Sequence, residues 1–163
     1  MKVNNNVKRP VVHDIIIYTD GACSGNPGAG GWAAMLICKT KDDSGRAVEF
    51  RKKISGGEKM TTNNRMELIA VIEALKIVKK SSNIEIFSDS KYVIDGMTKW
   101  LQNWQKNNWC GSDKKPIKNV ELWKFLAELA LKHNISWNWV KGHADNEFNN
   151  EVDRMACEAR DRQ

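Results

Sequence analysis

The chain has 163 residues, of which 41% are apolar and 28% charged. That is the size and balance of one globular domain rather than of a disordered polymer. No apolar run approaches the roughly 18 to 20 residues that span a bilayer, and the N-terminus MKVNNNVKRPVVHD lacks the apolar stretch of a secretory signal, so a cytoplasmic protein is expected.

Residues 1 to 12 read as a flexible tail, and the folded domain is expected over 13 to 163. Residues 14 to 19, 31 to 38 and 47 to 54 read as three strands. In the third, Val48, Phe50 and Ile54 alternate with Glu49, Arg51 and Lys53. The polar link KTKDDSG suits a hairpin, so these strands should pair antiparallel. The first strand delivers Asp20 where its apolar run stops, and five glycines follow by residue 31. Such a run fits a tight hairpin, or a backbone that an anionic ligand approaches closely at Gly21, Gly25 and Gly28.

TTNNRMELIAVIEALKIVKKSS reads as the central helix, with Asn64 as its cap and Glu67 three residues on. Leu68, Ile69, Ile72, Leu75 and Val78 recur at helical spacing. NIEIFSD is a short buried strand ending at Asp89, and SKYVIDGMTKWLQNW a helix with a glycine inside. Between residues 99 and 118 five lysines face one aspartate, with Trp100, Trp104 and Trp109 interleaved. A lysine run alone is a solvated helix face, but flat aromatic rings among the lysines suit contacts along a phosphate backbone. KNVELWKFLAELALKHN, capped by Asn119, is another amphipathic helix; ISWNWVK is a last strand; NNEVDRMACEARD closes the chain as a helix. Three sequential strands followed by alternating helix and strand imply a mixed α/β sheet with helices on its faces.

In open sheets of this kind, sites gather at strand ends. Asp20 and Asp89 end two strands, and Glu67 and Asp153 fall in the first turns of two helices. Each alone serves as a turn former or a cap. Together they would repel one another unless a divalent cation joins them. Oxygen donors without a cysteine or histidine pair favour magnesium or manganese over zinc, and the four cysteines, Cys23, Cys38, Cys110 and Cys157, contain no C-x-x-C pair. Two such ions suit phosphodiester hydrolysis. His143, in a polar loop leading to Asp153, could move a proton or help release product.

YTDGACSGNPGAGG, TTNNRMEL, SDSKYV and WVKGHADNEFNNEVD together resemble ribonuclease H of the bacterial type 1 class, over residues 14 to about 160. The resemblance implies a five-stranded mixed sheet in the order 3-2-1-4-5 with helices on both faces. It implies magnesium-dependent hydrolysis of the RNA strand of an RNA/DNA hybrid, leaving 5′-phosphate and 3′-hydroxyl ends. The family's acidic series falls on Asp20, Glu67, Asp89 and Asp153, and its loop histidine on His143. By the same resemblance Cys23, Asn26, Asn63, Asn64 and Lys91 line the hybrid's minor groove, and Thr62 meets a DNA-strand phosphate. Trp100 walls the DNA channel, while Trp104, Lys106, Trp109, Lys114 and Lys115 belong to a basic protrusion that grips DNA. Lys91 stands where family members often carry glutamine, so a charge contact replaces an amide. Phe148 falls in a loop that is commonly more polar. A monomer is expected. The alternatives are a related two-metal nuclease acting on DNA and a non-catalytic nucleic-acid-binding domain of the same fold.

Overall fold

A computed structural model describes residues 13–142 and 146–163. Five strands and five helices follow in order: β1 (His13–Cys23), β2 (Gly28–Lys41), β3 (Ala47–Thr61), α1 (Asn63–Ile77), β4 (Ser82–Ser88), α2 (Lys91–Asp95), a π-helical turn (Gly96–Trp100), α3 (Leu101–Lys106), α4 (Val120–Ala130), β5 (Asn134–Trp139) and α5 (Glu147–Asp161). The count is of the described residues, and the expected 1 to 12 tail lies outside them. The strands form one mixed sheet in the order β3-β2-β1-β4-β5, with β1–β2 and β2–β3 antiparallel and β1–β4 and β4–β5 parallel. This is the expected sheet.

Alternation along the strands sorts the core to the two faces. Ile15 and Ile17 of β1, Ala34 and Leu36 of β2, and Ile84 and Ile86 of β4 pack with Leu68, Val71, Ile72 and Leu75 of α1 and with Trp123 and Leu126 of α4. Tyr18, Met35 and Ile37 point the other way and pack with Val152 and Ala156 of α5. The central helix buries a wide face, from Met66 to Leu75, and leaves Asn63, Asn64 and Lys76 exposed. Among the described residues no helix is long and apolar enough to cross a membrane.

Several boundaries differ from expectation. β1 does not stop at Asp20; Gly21, Ala22 and Cys23 continue to pair with Trp32, Gly31 and Gly30. What ends there is the parallel ladder, whose last pair is Thr19 with Ser88. The cap of α1 is Thr62, not Asn64: its extended backbone (φ −126°, ψ 160°) brings its hydroxyl to accept from the Arg65 N–H at 3.3 Å. Likewise Asn146 caps α5, accepting from the Phe148 and Asn149 N–H groups at 3.1 and 3.0 Å. Both helices start earlier than expected, so Glu67 and Asp153 sit in second turns. Asn119 does precede α4, yet in a left-handed conformation (φ 58°) with no capping bond. The helix expected over residues 90 to 104 is interrupted by the π turn at Gly96, where a Cβ would lie 2.0 Å from the Trp123 ring.

Candidate carboxylate active site

The fold brings four carboxylates to one polar cleft of about 380 Å³, lined by Asp20, Gly21, Asn63, Asn64, Glu67, Asp89, Ser90, Lys91, Tyr92 and Asp153. Parallel pairing of β1 with β4 sets Asp20 and Asp89 at the same end of the sheet, each one residue beyond the last Thr19–Ser88 pair. Glu67 enters from α1 and Asp153 from α5. One oxygen from each of Asp20, Glu67 and Asp89 lies within 4.8 Å of the others, the metal-competent group found among the described residues. Asp153 lines the same cleft but lies outside that close group. Gly21 makes this convergence possible, because a Cβ there would stand 2.6 Å from the Glu67 backbone nitrogen. The glycine serves a helix that packs on the strand, where the sequence suggested a ligand.

Burial dominates the electrostatics. Asp20 is 3% and Glu67 4% exposed. Desolvation, followed by the charge of Asp89, pushes Asp20 up to about 8. Glu67 is raised well above the ordinary carboxylate value, first by burial and then by the charges of Asp20 and Asp89. Its Oε2 is buried with no hydrogen-bond partner. A buried carboxylate oxygen without a partner, among like charges, is costly unless a cation completes the site. The donor set is hard oxygen throughout, which fits a divalent metal of the magnesium class.

Around the cleft, Asn26 Oδ1 accepts from the Asn63 N–H at 3.3 Å and ties the loop after β1 to the start of α1. Asn63 and Asn64 are exposed on the cleft wall. The Cys23 thiol is half-buried and donates to the Thr61 and Gly28 carbonyls, at 3.5 and 3.6 Å. Lys91 lies at the lip with its ammonium 4.8 Å over the Trp139 ring. Trp100 is exposed and leans on Trp104, which packs at a tilt of 57° on buried Trp123; Trp109 also packs on the core. Lys106, Lys114 and Lys115 are exposed, the last two on a small hairpin closed by the Cys110–Pro116 bridge. Phe148 is not in a loop: it is the second residue of α5 and packs 5.2 Å from the Tyr18 ring. His143 lies outside the described residues.

Sequence reasoning missed Tyr92, which lines the cleft. Its hydroxyl accepts from Trp123 Nε1 at 3.0 Å and from Asn119 Nδ2 at 3.1 Å, while Asn119 Oδ1 accepts from the Arg65 guanidinium at 3.1 Å. This network locks α1, α2 and α4 together beneath the site, and its only sequence signal is a tyrosine two residues after a site serine.

A 3-2-1-4-5 mixed sheet carrying an acidic divalent-metal site at the β1 and β4 ends defines the class of ribonuclease H-like enzymes. The family model for RNase H matches residues 12–161, and the chain belongs to that family. It is 53% identical over 147 residues to a ribonuclease H of Rickettsia typhi, covering 90% of this chain and 91% of the relative. Against a ribonuclease H of Thermoanaerobacter pseudethanolicus the identity is 55% over 143 residues, with 87% and 86% covered. Among solved structures it resembles LC9-RNase H1, a type 1 RNase H with the type 2 active-site motif, at 30% identity and a TM-score of 0.82, covering 94% of this chain and 74% of that one. LC11-RNase H1 in complex with RNA/DNA hybrid shares the fold, with 24% identity, a TM-score of 0.61 and coverage of 91% and 97%.

Proposed function

We infer that this chain is an endoribonuclease that hydrolyses the RNA strand of RNA/DNA hybrids and leaves 5′-phosphate and 3′-hydroxyl ends. The observation that carries the reading is the convergence of Asp20, Glu67 and Asp89 within 4.8 Å, with Glu67 Oε2 buried and unpartnered, in a member of the ribonuclease H family. Asp20, Glu67, Asp89 and Asp153 would hold magnesium, with manganese as a substitute. The chemistry that magnesium supplies there is charge neutralisation at the reacting phosphodiester and activation of water near neutral pH. The protein's own part is positional: β1 and β4 fix two carboxylates rigidly, burial keeps bulk water from the third, and the wall at Asn63 and Asn64 offers amides to a nucleic acid.

A hybrid differs from either pure duplex in carrying 2′-hydroxyls on one strand only, within a minor groove wide enough for side chains. Cys23, Asn26, Asn63, Asn64 and Lys91 would read the RNA side. Thr62, Trp100, Trp104, Trp109, Lys106, Lys114 and Lys115 would hold the DNA strand, and His143 would move a proton or help release product. The reading includes one catalytic domain over residues 13 to 163, acting as a monomer in the cytoplasm. Labelled RNA/DNA hybrid, double-stranded RNA and double-stranded DNA, offered side by side with magnesium, test it. Only the RNA strand of the hybrid should be cut. Equal cleavage of duplex DNA would mark a DNA nuclease of this fold, and hybrid binding without cleavage a non-catalytic domain.

A further inference from the structure

Trp139 is the last residue of β5 and pairs with Ser88 at the end of β4, one residue before Asp89. Trp139 is 45% exposed, yet its ring is held at two points: Nε1 donates to the Asp89 carbonyl at 3.0 Å, and the Lys91 ammonium lies 4.8 Å over the ring centroid. The next residue, Val140, donates its N–H to the Ser88 carbonyl at 2.9 Å, so the indole stands on backbone that is itself fixed. Lys91 begins α2, is exposed, and borders the acidic cleft. A lysine on a free four-carbon stem samples many rotamers. An indole face held in one orientation narrows them and keeps the cation in place.

We propose that Trp139 is a positioning residue that holds the Lys91 ammonium at the lip of the cleft, where it meets a phosphate of the bound strand. The inference rests on the hybrid-cleaving reading above and concerns the same site. It gives the chain a cation on α2 placed by a tryptophan of β5, far from Lys91 in sequence. Lys91 touches substrate; Trp139 acts only through Lys91, and its bond to the Asp89 carbonyl serves to fix the indole.

Steady-state cleavage of a hybrid with magnesium, by Trp139→Leu, Trp139→Phe, Lys91→Ala and the Trp139→Leu/Lys91→Ala double variant, tests this. Trp139→Leu and Lys91→Ala should each raise KM by a similar factor, roughly two- to fivefold, as expected for an exposed cation–π contact. The double variant should be no worse than either single one, and Trp139→Phe, which keeps a ring under the ammonium, should restore most of the KM. Lys91→Ala should also lower the log-log salt slope of hybrid binding by about 0.9. The positioning role is overturned if the two KM effects multiply, if Trp139→Phe is as poor as Trp139→Leu, or if Lys91→Ala leaves KM unchanged. Lys91 is exposed, so that last variant folds whatever the tryptophan variants do. Failure of the wild-type chain to cut the hybrid would overturn the function itself, whereas wild-type cleavage with independent effects overturns only the positioning.

Discussion

Desolvation does most to hold Asp20 at about 8, and the Asp89 charge adds to it; Glu67 is raised for the same two reasons. Both groups therefore bind protons in the folded protein that the unfolded chain, with its ordinary carboxyls near 3.8 for Asp20 and 4.5 for Glu67, gives up. Without metal, stability from these groups is greatest at low pH and is lost as pH rises through the folded value. The metal-free protein should lose thermal stability between about pH 4 and about 8, by roughly 5 °C or more, at a conversion of about 2–4 °C per kcal/mol for a chain of this size. Magnesium should flatten the trend, and Asp20→Asn should reduce it to the part that the burial of Glu67 imposes. A melting temperature that rises over this range without metal would show that the cluster is not strained by its own charge.

At the scale of elements, the contact of α4 with the π turn leaves no room for a side chain. A methyl at Gly96 would stand 2.0 Å from the buried Trp123 ring, whose N–H also holds Tyr92 at the cleft. Gly96→Ala should lower stability by about 1–3 kcal/mol, the usual cost of overpacking a core, and should reduce the urea midpoint accordingly. An unchanged midpoint would mean that the turn can shift away. The same elements show what could be read without a structure. The apolar run at residues 15–18, the stretch IEIF at 84–87, and the spacing of Leu68, Ile72 and Leu75 revealed strands and the central helix because burial imposes those patterns directly. Asp20, Asp89 and Glu67 were legible because they interrupt or border such runs. Caps were misplaced because Asn63, Asn64 and Thr62 are all plausible first residues, and only backbone angles choose among them. β3 was cut short because its second half, SGGEKMT, carries no apolar period; its length comes from pairing with β2. The Tyr92–Asn119–Arg65 network and the Lys91–Trp139 contact join residues distant in sequence, and no local pattern encodes them.

Over the whole molecule, an acidic cleft coexists with a net charge of +6, part of it on the exposed lysines between residues 99 and 118. The small hairpin at Cys110–Pro116 lifts Lys114 and Lys115 away from the core while Trp104 and Trp109 anchor its base. If these lysines meet DNA phosphates, Lys114→Ala/Lys115→Ala should weaken hybrid binding and reduce the log-log salt slope by roughly 1.8, about 0.9 for each phosphate contact. An unchanged slope would place the grip elsewhere. The chemistry depends on the opposite pole of the molecule. Cleavage of an end-labelled RNA strand within an RNA/DNA hybrid, with and without magnesium, for the wild-type chain and for Asp89→Asn, tests the carboxylate site most directly. Wild-type cleavage should require magnesium, and Asp89→Asn should still bind the hybrid while its turnover falls by about a hundredfold or more, the scale of losing one preorganised electrostatic contact. Comparable turnover by Asp89→Asn, or wild-type cleavage undiminished by chelation, would contradict it.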